Sequence, residues 1–148
     1  MKTIALRFAE NFAPQEGTIA AHQEVIDQNG FVWYGKLGSS VSNLKCAAIM
    51  NNETPKILLI HSGQQNRYWA FISEIRYEVP DKRFIPLYYR DRTDRFHTWF
   101  KIVKFEKASK DIMQNCTVVS SGTPLSEASK SSMSPYFFID ATDEKVNS

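Results

Sequence analysis

Ile57-Leu58-Leu59-Ile60-His61-Ser62-Gly63 is the stretch whose reading decides the fold. Four aliphatic residues in a row break the alternation of a strand with one wet face, so a strand here must be covered on both sides, as in the centre of a curled sheet. The run ends on small and polar residues, which brings His61 and Ser62 to a rim. Trp33-Tyr34-Gly35-Lys36 and Tyr68-Trp69-Ala70 lie in strand-like segments on either side and are expected to carry aromatic rings to the same rim.

Working outward, Thr3–Phe8 alternates as a first strand, and Pro14-Gln15-Glu16-Gly17 closes a loop after it. Thr18 reads as an N-cap and Gly30 as the residue just past the C-terminus of a helix, with Ile19, His22 and Ile26 along one stripe. Phe31–Lys36 is a second strand, and Ser42 caps a helix over Asn43–Asn52. After the central strand, Gln64-Gln65-Asn66 connects to a long strand over Arg67–Tyr77, with Trp69, Phe71, Ile75 and Tyr77 on one face. Pro80 to Asp94 is a long connection whose aromatic residues argue for order. Thr98–Glu106 is the next strand, with Trp99, Val103 and Phe105 on one face; Thr117–Val119 is a short strand, Pro124–Lys130 a helical turn and Tyr136–Ile139 a final strand. From Thr142 the residues are polar and expected to fray. The predicted fold is a single α+β domain over residues 1–148: a small mixed β-barrel of about five to seven strands with two or three flanking helices.

Aromatic residues make up 13% of the chain, and the net charge is only +2, so the distribution of charge says more than its sum. Residues 67–110 carry eleven Lys/Arg against six Asp/Glu, whereas residues 111–148 carry two against five. The basic middle, with Lys82, Arg83, Arg90, Arg92, Arg95, Lys101 and Lys104, reads either as a solvated face or as a phosphate-tracking surface. Cys46 and Cys116 fit no metal or redox spacing and read as reduced packing residues. The first residues do not form a signal peptide and no apolar run reaches membrane-spanning length, so a soluble cytoplasmic protein is expected.

His22, His61 and His97 share no ligand spacing, and neither a metal nor another cofactor is expected. His61 and Ser62 are neighbours on a strand and point to opposite faces, which argues against a base–nucleophile pair; no G-x-S-x-G elbow is present. At a strand end, however, an imidazole and a hydroxyl suit the edge of a planar polar ligand. Trp33, Trp69 and Trp99 each read singly as core; as a set, some are expected to line a cavity, where stacking on a base is worth ~1–3 kcal/mol per ring. Gly35-Lys36-Leu37-Gly38 lacks the spacing of a phosphate-cradling loop.

The order Trp33-x-Gly35, a helix, Ile57-Leu58-Leu59-Ile60-His61-Ser62, a strand near Glu74-Ile75, and Thr98-Trp99-Phe100-Lys101-Ile102 resembles the EVE domains of the PUA-like superfamily. Ser132-Met133-Ser134-Pro135 is similar to the serine-containing segment before their last strand, while Ile60 stands where those domains have tyrosine. The resemblance implies a pseudo-barrel with an aromatic-lined pocket for a modified base in DNA or RNA, as in the related YTH domains, and a link to prokaryotic restriction systems. It also implies that Trp33 and Ser62 line the pocket with His61 beside them.

The function expected is therefore a non-enzymatic nucleic-acid-binding module. Trp33, Tyr34, His61, Ser62, Trp69 and Trp99 would form the base pocket, and Lys36, Arg90, Arg92 and Arg95 would contact phosphates of DNA or RNA. One alternative is an ASCH-type enzyme or sensor of a free nucleoside, with Lys36 and Lys101 as acid–base groups; another is a protein-interaction domain.

Overall fold

Side-chain alternation sorts the apolar residues onto two faces of one seven-stranded sheet, and the sheet curls around the residues on its inner face. The computed structural model describes residues 1–8, 13–61 and 66–142. Ser62, the Gln64-Gln65 part of the expected hairpin and the tail from residue 143 lie outside the described residues. The strands are β1 (Lys2–Arg7), β2 (Val32–Leu37), β3 (Lys56–Ile60), β4 (Tyr68–Arg76), β5 (Phe96–Lys107), β6 (Cys116–Val118) and β7 (Tyr136–Ala141). The helices are α1 (Thr18–Asn29), α2 (Asn43–Met50), α3 (Ile112–Asn115) and α4 (Leu125–Ser131), with 3₁₀ segments at Lys82–Phe84 and Leu87–Arg95. The sheet order is β2-β5-β4-β3-β1-β7-β6.

The aliphatic run becomes β3, in the middle of that order, parallel to β1 and antiparallel to β4. Ile57 and Leu59 point into the barrel with Ile4, Leu6, Val32, Tyr34, Ala70, Ile72, Phe100 and Ile102. Leu58 and Ile60 point outward into a second apolar layer with Trp69, Phe137 and Ile139, roofed by Ile112, Met113 and Leu125 of the α3–α4 segment. Both faces of β3 are thus dry, and all four aliphatic side chains are buried. A third layer lies outside β2 and β5, where Trp33, Phe96 and Trp99 meet Ile85 and Tyr89.

The curl does not close. β2 and β1 both contribute to the inner core, yet they are not neighbours in the hydrogen-bonded order, so a seam remains between them. This is an α+β pseudo-barrel with an open sheet. Among the described residues there are four α-helices, one or two more than expected, because α3 is a single turn too short to show an apolar period.

Local signals hold at most helix ends. Gly30 sits at φ 87°, and the Ser42 side chain accepts from Lys45 N at 3.3 Å. Gly17 occupies the position expected for Thr18, which becomes the first helical residue.

Two β-bulges alter which residues share a face. The β4–β5 register passes from Phe71↔Lys104 to Ile72↔Ile102 and then to Glu74↔Lys101, skipping Val103 on one strand and Ser73 on the other. Each extra residue reverses the in–out parity beyond it. Ile75 therefore packs with the inner core and not with Trp69, and Phe105 packs inward and not with Trp99. No helix among the described residues is long and apolar enough to cross a membrane.

Candidate functional site

The seam between β2 and β1 holds a cavity of about 210 Å³. One wall is the strand run Tyr34-Gly35-Lys36-Leu37, the opposite wall is Leu6 and Arg7 with Pro135, and the floor is Thr18 and His22 of α1. The 3₁₀ segment and the start of β5 complete it with Tyr88, Tyr89, Arg92, Arg95 and Phe96. A volume below the roughly 300–1,000 Å³ of sites for drug-sized ligands limits the occupant to one small ring system.

The floor is a fixed hydrogen-bonded unit. His22 is fully buried, with Nδ1 2.8 Å from the Thr18 carbonyl oxygen and Nε2 2.8 Å from the Tyr89 hydroxyl. Burial lowers its pKa to about 4, against the smaller opposing effect of the Thr18 carbonyl, so the ring is neutral near pH 7. A carbonyl only accepts, which puts the single proton on Nδ1 and leaves Nε2 to accept from Tyr89. The Tyr89 hydroxyl also lies 3.1 Å from the Trp33 carbonyl oxygen and receives the Gly35 N–H at 3.4 Å. Burial holds its pKa well above the usual phenol value, so it stays a neutral donor.

This unit predicts a pH response. Unfolded histidine takes up a proton near pH 6.5, while folded His22 resists until about 4. The unfolded state thus binds more protons between those values, and stability falls as pH falls through that window, by about 3 kcal/mol in total. Urea midpoints at pH 7 and pH 4.5 check this, with His22→Gln as the comparison that flattens the slope. An equal slope in the variant would refute it.

Gly35 is needed where it stands. A Cβ there would lie 2.7 Å from Phe96 Cγ and 2.9 Å from Cδ1, so the ring that forms one wall lies directly on the glycine. Its N–H faces Tyr89 across the seam and not β5, and antiparallel geometry turns its carbonyl the same way. The edge of β2 therefore turns the Gly35 carbonyl outward, while its N–H is taken by Tyr89. Gly35→Ala is expected to displace the Phe96 ring and cost about 1–3 kcal/mol of stability, read from chemical denaturation; a neutral substitution would show that the ring is not fixed there.

The charge lining the cavity has one sign. Arg7, Lys36, Arg92 and Arg95 reach it and, among the described residues, no carboxylate does. Lys36 is 2% exposed; its Nζ donates to the Leu37 and Ser39 carbonyls at 3.0 and 2.8 Å and lies 5.1 Å from the Tyr136 ring centroid, tying β2 to β7 across the seam. Burial lowers its pKa.

Of the residues singled out from sequence, the cavity brings together Tyr34, Lys36, Arg92 and Arg95. Trp33 and Trp99 stand behind its wall: Trp33 faces away from Tyr34 as its strand neighbour must, and lies under the Arg76 guanidinium at 4.9 Å, while Trp99 packs behind Phe96 at 5.3 Å. Trp69 belongs to the outer layer on the far side of the sheet. His61 lines a different cavity, and Arg90 braces the connection, its Nε donating to the Ile85 carbonyl at 2.9 Å. Ser62 is outside the described residues. Sequence reasoning missed Tyr88, Tyr89, Phe96 and the role of His22. The signal was present in part, since Thr18 and His22 are polar residues one turn apart on a helical stripe otherwise apolar.

Against this geometry, a family model described as Pua-like matches residues 4–137. The chain belongs to the Pua-like family. The match runs from Ile4 in β1 to Phe137, the second residue of the final strand, so both walls of the Pua-like seam lie within it. No curated protein and no solved structure matches the chain.

Proposed function

We propose that this Pua-like chain is a non-enzymatic nucleic-acid-binding module that takes a single base, modified or not, into the seam between β2 and β1. The observation that carries the reading is the cavity itself: one ring system in size, walled by Tyr34, Tyr88 and Phe96, and rimmed by cations without a carboxylate among the described residues. Aromatic faces bind any base by stacking, and the Gly35 carbonyl at the β2 edge is suited to accept from its hydrogen-bonding edge. Arg92 and Arg95 supply positive charge for the flanking phosphates, whereas Lys36, expected from sequence to join them, is buried and committed to the Leu37 and Ser39 carbonyls. Pua-like domains generally bind nucleic acids, which is consistent with this assignment. The resemblance of the sequence motifs to EVE domains favours a modified base and a place beside restriction or RNA-modification enzymes.

Oligonucleotides with and without methylated bases, titrated at two salt concentrations, test the reading. Binding that weakens with salt and prefers one base supports it; no binding at low salt ends it. A second reading, an enzyme or sensor acting on a free nucleoside, draws on the buried Lys36 in the cavity wall. Lys101, its proposed partner, lies over the Phe31 ring at 4.3 Å and does not line the cavity. Nucleoside turnover lost in Lys36→Met would favour that reading over the first.

A further inference from the structure

Arg7 lines two cavities. Beyond it, on the side away from the seam, a wider hollow of about 590 Å³ opens between the end of β3 and the α3–α4 segment. Arg67, Lys110 and Lys130 reach this hollow together with His61, Gln114 and Ser126, and no carboxylate does among the described residues. Lys110 and Lys130 are exposed, and neither makes an ion pair with a described residue. His61 Nδ1 is buried there without a described hydrogen-bond partner. The carbonyls at the end of α4, which would repel an anion, are already taken: Arg7 donates to Ser129 O at 2.7 Å and Ser132 O at 2.8 Å. Ammonium, guanidinium, imidazole, amide and hydroxyl groups without a competing carboxylate form a donor set for phosphate.

We propose that this second hollow holds a backbone phosphate of the nucleotide next to the one whose base enters the seam, with Lys110 and Lys130 as its principal contacts. The inference rests on the base-pocket reading for the identity of the strand, and on Arg7 for the path: its side chain is the shared wall over which the backbone crosses. The phosphate chemistry stands without that reading, because the hollow would accept a free phosphate by the same groups.

The test measures single-stranded oligonucleotide affinity over a salt series for the wild type, the double variant Lys110→Ala/Lys130→Ala and Tyr88→Ala. Losing the contacts to this one phosphate should reduce the slope of log affinity against log salt by about 0.7, whereas Tyr88→Ala should weaken binding with the slope unchanged. An unchanged slope in the lysine variant, with the wild type binding, overturns the proposal and leaves the base pocket standing. In a second arm, inorganic phosphate is titrated against both proteins at constant ionic strength and followed by amide chemical shifts. Shifts centred on Lys110 and Lys130 that vanish in the double variant support the phosphate site. If those shifts appear while no oligonucleotide binds, the strand path is overturned and the hollow is a site for a free phosphate ligand. If neither arm responds, both readings fail.

Discussion

Trp69→Ala is expected to cost about 3–5 kcal/mol of folding stability, the range for removing a large aromatic side chain from a filled core. The indole is 1% exposed, packed with Leu58, Ile60, Phe137 and Ile139 under α3 and α4, and the Lys56 ammonium lies 4.2 Å from its ring centroid. Domains of this size hold only about 5–15 kcal/mol in all, so the variant should unfold at a much lower urea midpoint. The gentler Trp69→Phe keeps the domain folded and should leave oligonucleotide affinity within twofold of the wild type. That contrast separates a packing role from a stacking one. If Trp69→Phe stays stable but loses tenfold in affinity, the ring touches the ligand and the seam is the wrong site.

Tyr88→Ala is expected to do the reverse. Tyr88 is half-buried, edge-on to Tyr89 at 4.8 Å between centroids, and its ring lines the seam cavity. Removing one stacking ring should weaken base binding by about five- to 150-fold, corresponding to ~1–3 kcal/mol. Stability should fall less than in Trp69→Ala, since less apolar surface leaves the core. Titration of the oligonucleotide by fluorescence anisotropy reads the first effect and urea denaturation the second. Unchanged affinity in a folded Tyr88→Ala protein would remove the aromatic wall from the account. With both results as expected, the two variants form a double dissociation, in which one aromatic serves the fold and the other the ligand.

The distinction between those two rings also shows where sequence reasoning succeeds and fails. Trp33 and Tyr34 are adjacent on β2, and strand alternation alone forbids both from facing one cavity. That geometry, which ruled out His61 and Ser62 as a pair, applies equally to Trp33 and Tyr34. Tyr89 belongs to a connection with no period and Phe96 opens β5 directly after it, where nothing local says which ring turns inward. His22 looked like one member of a helical stripe; its partnership with Tyr89, 67 residues away, exists only once α1 and the 3₁₀ segment meet at the seam.

By itself, the sequence determined the strands and longer helices, though not α3 or the 3₁₀ segments, and the central place of Ile57-Leu58-Leu59-Ile60. A four-residue aliphatic run is stable as a strand only when water is kept from both sides, and β3 lies mid-sheet between an inner core and an outer layer. It determined as well two of the helix ends, because Gly30 and Ser42 act through their own backbone and side-chain chemistry. Only the tertiary structure decided where the pocket lies. The bulges at Ser73 and Val103 reverse side-chain parity, and the curl of the sheet brings β2 to face β1 without bonding to it. Both are relations between segments distant in sequence, and no periodicity within a segment encodes them.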